Sequence, residues 1–140
     1  MKKLILLRGL PGSGKTTFAE FLLDFLLPDV EVHSYAADDY FTTEDGSYHF
    51  DASKLGVAHA QCLDNTLNAM RDASNLEECI IIVHNTFTTE KELKPYLDAA
   101  KAFSFEVTSL VVENRHGNKS THGVPSEVME KMRTRFKINV

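Results

Sequence analysis

A three-layer α/β/α fold around a parallel sheet of four to five strands is what the sequence predicts, on three observations. Short aliphatic runs recur along the 140 residues, segments with apolar residues at helical spacing lie between them, and a glycine cluster joins the first run to the first helical segment. Strands alternating with helices imply right-handed βαβ units and a parallel sheet covered on both faces. The length suits one domain over residues 1–140. Hydrophobic residues at 43% and charged residues at 25% argue against disorder and fibrous architectures.

The elements follow in order. Lys3 to Arg8 is an aliphatic run halted by Gly, Pro, Gly, Ser and Gly, which predicts a short buried strand. From Lys15 to Leu27, Phe18, Ala19, Leu22, Leu23, Leu26 and Leu27 recur at helical spacing until Pro28 stops them. Glu31 to Ala36 predicts a second strand, with Asp38 and Asp39 just past its carboxyl end and a turn at Gly46. Ser53 to Ala73 predicts a helix whose stripe is Leu55, His59, Cys62, Leu63, Leu67 and Met70, capped by Ser53 or Asp51. Cys79 to Val83 is unbroken and apolar, as in a central strand. Glu90 to Ala102 is helical, with Pro95 expected to kink it or delay its start. Phe105 to Val112 predicts a further strand, residues 114–124 a polar lid loop, and Pro125 the first turn of a last helix.

Gly9-Leu10-Pro11-Gly12-Ser13-Gly14-Lys15-Thr16 matches G-x-x-x-x-G-K-[ST] in the strand-to-helix context that gives the motif its meaning. The α/β class therefore narrows to a P-loop NTPase. Gly9, Pro11, Gly12, Ser13, Gly14, Lys15, Thr16 and Thr17 are the expected nucleotide-binding residues. Backbone N–H groups and the helix dipole would hold phosphates, Lys15 would bridge the terminal ones, and the Thr16 hydroxyl would serve Mg²⁺. ATP and Mg²⁺ are the expected cofactors.

The strand beside the P-loop ends in His84-Asn85 rather than in the Asp of a hydrolysing motor, which weakens an ATPase reading. Asn118-Lys119-Ser120 is followed by Thr121, so a guanine contact of the Asn-Lys-x-Asp type is missing too. Asp38 and Asp39 lie where an open α/β sheet faces its crevice, so a carboxylate there can orient an acceptor hydroxyl and take its proton. Asn85 is grouped with them as a substrate contact. Arg115 and Lys119, with His116 and His122, lie in the lid loop, where cations offset charge on the transferred phosphoryl group. Tyr48 and Phe50 are candidates for stacking on a nucleobase, with packing the leading alternative, and His59 reads as a core histidine.

The net charge of −5 argues against a broad nucleic-acid surface, although residues 113–140 carry six Lys/Arg against three carboxylates. Cys62 and Cys79 lack metal-ligand spacing and read as reduced structural thiols. No apolar run reaches the length of a membrane span, the start reads as a strand rather than a signal peptide, and a cytoplasmic location is expected.

Four motifs in order, the P-loop, Ala36-Ala37-Asp38-Asp39-Tyr40, Asn85-Thr86 and His122-Gly123-Val124-Pro125, resemble the bacteriophage-type 5′-hydroxyl polynucleotide kinases. Asp38 to Phe41, Gly46, Tyr48, Phe50, Leu55, Ala58-His59 and Cys62 are equally similar to the kinase-like domain of NEDD-family ligase-binding proteins. The resemblance implies an ATP-dependent kinase in which Asp38 is the general base, Lys15 and Thr16 handle ATP and magnesium, and Arg115 and Lys119 clamp phosphates. The implied acceptor is a nucleic-acid 5′-end with a short footprint. The chain departs from the family at His84, where Asp is usual, and at Lys119, where the phage enzymes carry arginine and its bidentate fork. A small-metabolite or nucleoside kinase, or a nucleotide-binding module without transfer, stays open, as does the oligomeric state.

Overall fold

The structure is a computed structural model that describes residues 1–25, 29–113 and 124–138. Along the chain come β1 (Lys2–Arg8), α1 (Lys15–Phe25), β2 (Glu31–Tyr35), α2 (Leu55–Asp72), β3 (Cys79–Asn85), α3 (Glu90–Ala102), β4 (Glu106–Val111) and α4 (Ser126–Arg135). The four strands form one parallel sheet in the order β2-β3-β1-β4.

Period-two alternation divides the central strands between two apolar layers. Leu4, Leu6, Ile81 and Val83 join Ala58, Cys62 and Met70 of α2 and Leu93, Tyr96 and Ala99 of α3. Leu7, Ile80 and Ile82 join Ala19 of α1, with Ile5, Phe18 and Leu22 packed alongside. Helices therefore cover both faces, as alternating strands and helices require. The chain leaves β1 toward β2 and leaves β3 toward β4, in opposite directions across the sheet. That divergence opens a crevice at the carboxyl ends of β1 and β3.

Several boundaries move. β3 does not stop at Val83: its ladder with β1 continues through Leu7↔His84 and Arg8↔Asn85, so both polar residues sit within the strand. Asp51, rather than Ser53, caps the entry to α2, accepting from the backbone N–H and the hydroxyl of Ser53. The buried face of α2 is Ala58, Cys62, Thr66, Ala69 and Met70, while Leu55 and His59 are exposed. His59 is thus not a core histidine. The expected stripe was rotated because Thr66 is buried, its hydroxyl satisfied by the Cys62 carbonyl at 2.9 Å, which a hydrophobicity pattern scores as polar. α3 runs through Pro95, which stands on its exposed side.

Arg8 closes β1 and is only 1% exposed. Its Nε and Nη2 donate to the Phe87 carbonyl at 3.2 and 3.0 Å, Nη1 donates to Ile138 O at 3.2 Å, and Nη2 also reaches Lys137 O. The guanidinium lies 4.9 Å from the centroid of the Phe136 ring. Burial lowers its pKa, and Glu92 opposes that shift. The same residue's carbonyl accepts from Val112 N at 2.7 Å. Both flanks of the segment between β4 and the end of α4 are therefore tied to one residue at the mouth of the P-loop.

Phe87 has φ of 48°, a left-handed conformation costing about 1–2 kcal/mol for a residue with a Cβ. Its buried ring packs edge-on against Tyr96 at 5.3 Å, and its carbonyl takes the Arg8 fork, which together offset that cost. Arg8→Met is expected to lower stability by about 3 kcal/mol, because it strands several buried carbonyls. For a chain of this size that is a fall of about 10 °C in a thermal melt. An unchanged melting temperature would show that the fork adds nothing net.

Candidate active site

Every element that meets the crevice arrives at the carboxyl end of a strand. The P-loop connects β1 to α1. Its Gly9 N donates to Thr86 O at 3.2 Å and its Ser13 N to Leu10 O at 3.1 Å, and Pro11 sits in the turn between them. Gly9 allows no side chain: a Cβ there would come within 2.4 Å of Val112 O and 2.5 Å of Ser13 Oγ. Gly12 and Gly14 take φ of 79° and 101°, the region where glycine is favoured. Lys15, Thr16 and Thr17 form the first turn of α1, with both threonines exposed.

The Lys15 ammonium donates to the loop's own carbonyls, Gly9 O at 2.6 Å and Leu10 O at 3.0 Å. Burial brings its pKa down to about 8, with Asp38 pulling it partly back. Ser13 Oγ is buried and has no hydrogen-bond partner among the described residues. An orphaned hydroxyl, a glycine that admits no Cβ and a lysine on weak neutral acceptors fit a polyphosphate, whose oxygens are stronger acceptors. Among the described residues no three His, Cys, Asp or Glu side chains cluster as a metal cage. Magnesium does not need one, since it is commonly held by one or two protein oxygens, phosphates and water. Thr16 stands at the helix start from which such an oxygen would come.

The two aspartates have different surroundings. Both belong to a 3-10 turn, Ala37–Phe41. Asp39 Oδ2 accepts from Ala36 N at 2.9 Å and so caps that turn. Asp38, partly buried, accepts from the Tyr48 hydroxyl at 3.0 Å through Oδ1. Burial, the charge of Asp38 and that hydrogen bond push the Tyr48 phenol well above its usual range, so it stays a donor. Tyr48 is the contact that sequence reasoning missed. Asp45-Gly46 was the available signal, because a tight turn there brings Tyr48 back opposite Thr42.

The Asn85 side chain, expected at the substrate, is instead committed inside the fold. Its Oδ1 accepts from Ala37 N at 2.8 Å, its Nδ2 lies 3.6 Å from Cys62 Sγ, and the residue is buried. It ties the Asp38 turn to β3. His84, next to it, is half-buried; burial lowers its pKa, against the pull of Asp39 and with a smaller push from Lys15. It therefore favours the neutral imidazole. Arg115 and Lys119, with His116 and His122, lie outside the described residues.

Comparison with known proteins places these features in a family. A model of the AAA domain matches residues 4–138. NEDD4-binding protein 2 of Homo sapiens is 36% identical over 104 residues, 74% of this chain, which spans only 5% of that relative's length. An uncharacterized protein of Pasteurella multocida is 28% identical over 94% of this chain and 75% of its own. Among solved structures, the Pnkp1/Rnl/Hen1 complex contains a chain that aligns with TM-score 0.61 at 17% identity, over 93% of this chain and 38% of its own. Kti12 of Chaetomium thermophilum, in complex with ADP-AlF3, aligns with TM-score 0.62 at 16% identity, over 96% and 80%. The fold is that of P-loop kinase-like proteins.

The Lys15 environment sets a pH dependence. A triphosphate on the P-loop would need the charged ammonium, so the affinity of a fluorescent ATP analogue should be flat below neutrality. It should weaken by up to about tenfold per pH unit once pH rises past the free-site pKa of about 8. His84→Asp, which adds a carboxylate near Lys15, should move that decline to higher pH. Lys15→Gln should abolish the decline and weaken binding roughly ten- to a hundredfold, the loss of one charged hydrogen-bond donor. With the AAA domain model matched over residues 4–138 and the P-loop set where β1 meets α1, the chain belongs to the AAA domain family.

Proposed function

We propose that this chain transfers the γ-phosphate of ATP to a hydroxyl, and that the hydroxyl belongs to a polynucleotide 5′-end. The observation that carries the reading is the carboxylate of Asp38, fixed by the Tyr48 hydroxyl at 3.0 Å, on the crevice that holds the P-loop. A P-loop ammonium and a carboxylate fixed by Tyr48 stand close enough for Asp38 to raise the lysine's pKa. Such a pair supplies the two things phosphoryl transfer needs from side chains, a cation on the donor phosphates and an oriented base for the acceptor. The sequence likeness to 5′-hydroxyl kinases at Ala36 to Tyr40 supports the choice of acceptor, and Kti12 holds ADP-AlF3 on the same fold.

Each residue then has a defined task. Backbone N–H groups of Gly12, Gly14 and Lys15 and the start of α1 orient the phosphates; Gly9 keeps the loop tight and Ser13 adds its hydroxyl. Lys15 exchanges its carbonyl partners for phosphate oxygens. Thr16 is the side chain to hold Mg²⁺, which supplies charge neutralisation on the phosphates when bound. Asp38 accepts the proton of the acceptor hydroxyl, while Asp39 and Asn85 hold the turn that aims it. Arg115 and Lys119 are assigned the phosphate clamp.

His84 favours a second reading, a nucleotide-binding module without transfer, because it replaces a carboxylate with a group that prefers to be neutral. Labelled ATP with a 5′-hydroxyl oligonucleotide, a nucleoside and a sugar acid as acceptors separates these readings. Transfer to the oligonucleotide is expected, and Asp38→Asn should reduce it by about 10²–10⁴-fold while ATP-analogue binding persists. Equal transfer to the sugar acid would favour a small-metabolite kinase. Binding with no transfer, restored by His84→Asp, would establish the second reading.

A further inference from the structure

The wall of the crevice beyond Asp38 is aromatic, and much of it faces solvent. Phe41 is buried and meets three rings edge-on: Tyr40 at 5.2 Å, Tyr48 at 6.2 Å and Phe50 at 5.1 Å. Tyr48 and Phe50 lie nearly parallel, inclined by 14° with centroids 6.5 Å apart. Phe50 is 53% exposed and Tyr40 is 40% exposed. Burial in the core therefore does not account for their faces.

The rings are held by a small, well-bonded excursion of the chain. Thr42 and Tyr48 form an antiparallel bridge, and His49 N donates to Phe41 O at 2.8 Å. Asp45 Oδ1 accepts from Ser47 N at 2.9 Å and from the Thr43 hydroxyl, while Gly46, with φ of 85°, completes the turn. Tyr48 links this platform to the reaction centre through its hydroxyl on Asp38.

Charge narrows what such a wall can take. Residues 38–53 contain five carboxylates, Asp38, Asp39, Glu44, Asp45 and Asp51, and no Lys or Arg. An anionic metabolite or a phosphate-rich strand would be repelled here. A neutral planar ring meets no such penalty, and a nucleotide with a free 5′-hydroxyl has no phosphate on that side.

We propose that Tyr48 and Phe50, floored by Phe41 and flanked by Tyr40, form the acceptor subsite for the nucleobase of the 5′-terminal nucleotide. This rests on the kinase reading and deepens it. The end is recognised by stacking on one base, which tolerates any base because each has a π-face, and not by a run of phosphate contacts. Tyr48 then serves twice, as a stacking wall and as the positioning residue for Asp38.

The test uses the full chain without ATP and a 5′-hydroxyl oligonucleotide whose terminal base is 2-aminopurine, with a strand abasic at that end as its counterpart. Stacking should quench the fluorophore in the wild type and in Phe50→Trp, which keeps a ring. Phe50→Leu should weaken binding by about tenfold or more, with the melting temperature and ATP-analogue affinity preserved. The abasic strand should bind weakly and equally to all three. Equal affinity for the abasic and base-bearing ends, or unchanged binding by Phe50→Leu, overturns the subsite. Transfer to both ends at equal rates would overturn it while leaving the kinase reading intact. Quenching lost in Phe50→Leu, without transfer to any acceptor in the wild type, would keep the ring site and remove the kinase reading.

Discussion

A buried guanidinium has five N–H donors to satisfy and no water to satisfy them, and Arg8 meets that demand with carbonyls from distant parts of the chain. It takes Phe87 just beyond β3 and Lys137 and Ile138 beyond α4, and its own carbonyl receives Val112 beyond β4. The next residue, Gly9, is pressed against Val112 O and bonded to Thr86 O. The geometry of the phosphate loop is thus set by what surrounds the end of β1. Were Arg8 not buried and paired, the carboxyl edge of the sheet would lose the node at which three strand exits meet.

Within that frame the site is a balance of charge and burial. Lys15 is held on carbonyls that cannot neutralise it, and burial makes its charge costly, so the loop is poised toward an anion. Asp38 opposes that cost from across the crevice, and Tyr48 holds the carboxylate with a hydroxyl too deeply shifted to ionise. His84 is acted on by the charges of both aspartates and of Lys15, and its burial favours neutrality, so it adds little charge to a site where a carboxylate would have added a full one. The fixed carboxylate of Asp38 therefore carries more of the electrostatic balance than in a site with an additional acid.

Asp38 and Asp39 are adjacent and chemically identical, yet the turn separates their roles. Ala36 N claims Asp39 as a cap, and Asn85 anchors the same turn by accepting from Ala37 N. One carboxylate stabilises the backbone so that the other can face the crevice. The knot of Asn85, Cys62 and Ala37 also joins α2, β3 and the turn, placing a polar group in a mostly apolar interior where each hydrogen bond specifies one arrangement.

The sequence alone settled the α/β class, the strand-helix alternation and the place of the P-loop. Those features are local: aliphatic runs, helical spacing and the glycines before Lys15 each act over a few residues. It also brought Asp38 and Asp39 to the correct edge, because strand ends in a parallel sheet share one side. The division of labour between them was not readable, since it depends on Ala36 N and on a tyrosine ten positions along that a turn returns to Asp38. Asn85 looked like a free polar group after a strand until the β1–β3 register put it inside the ladder. The buried face of α2 and the burial of Arg8 escaped the sequence for the same reason. A hydrophobicity pattern scores residues one at a time, whereas Thr66 is buried with its hydroxyl satisfied by the Cys62 carbonyl one turn back, and Arg8 is buried with its hydrogen bonds completed by carbonyls far along the chain.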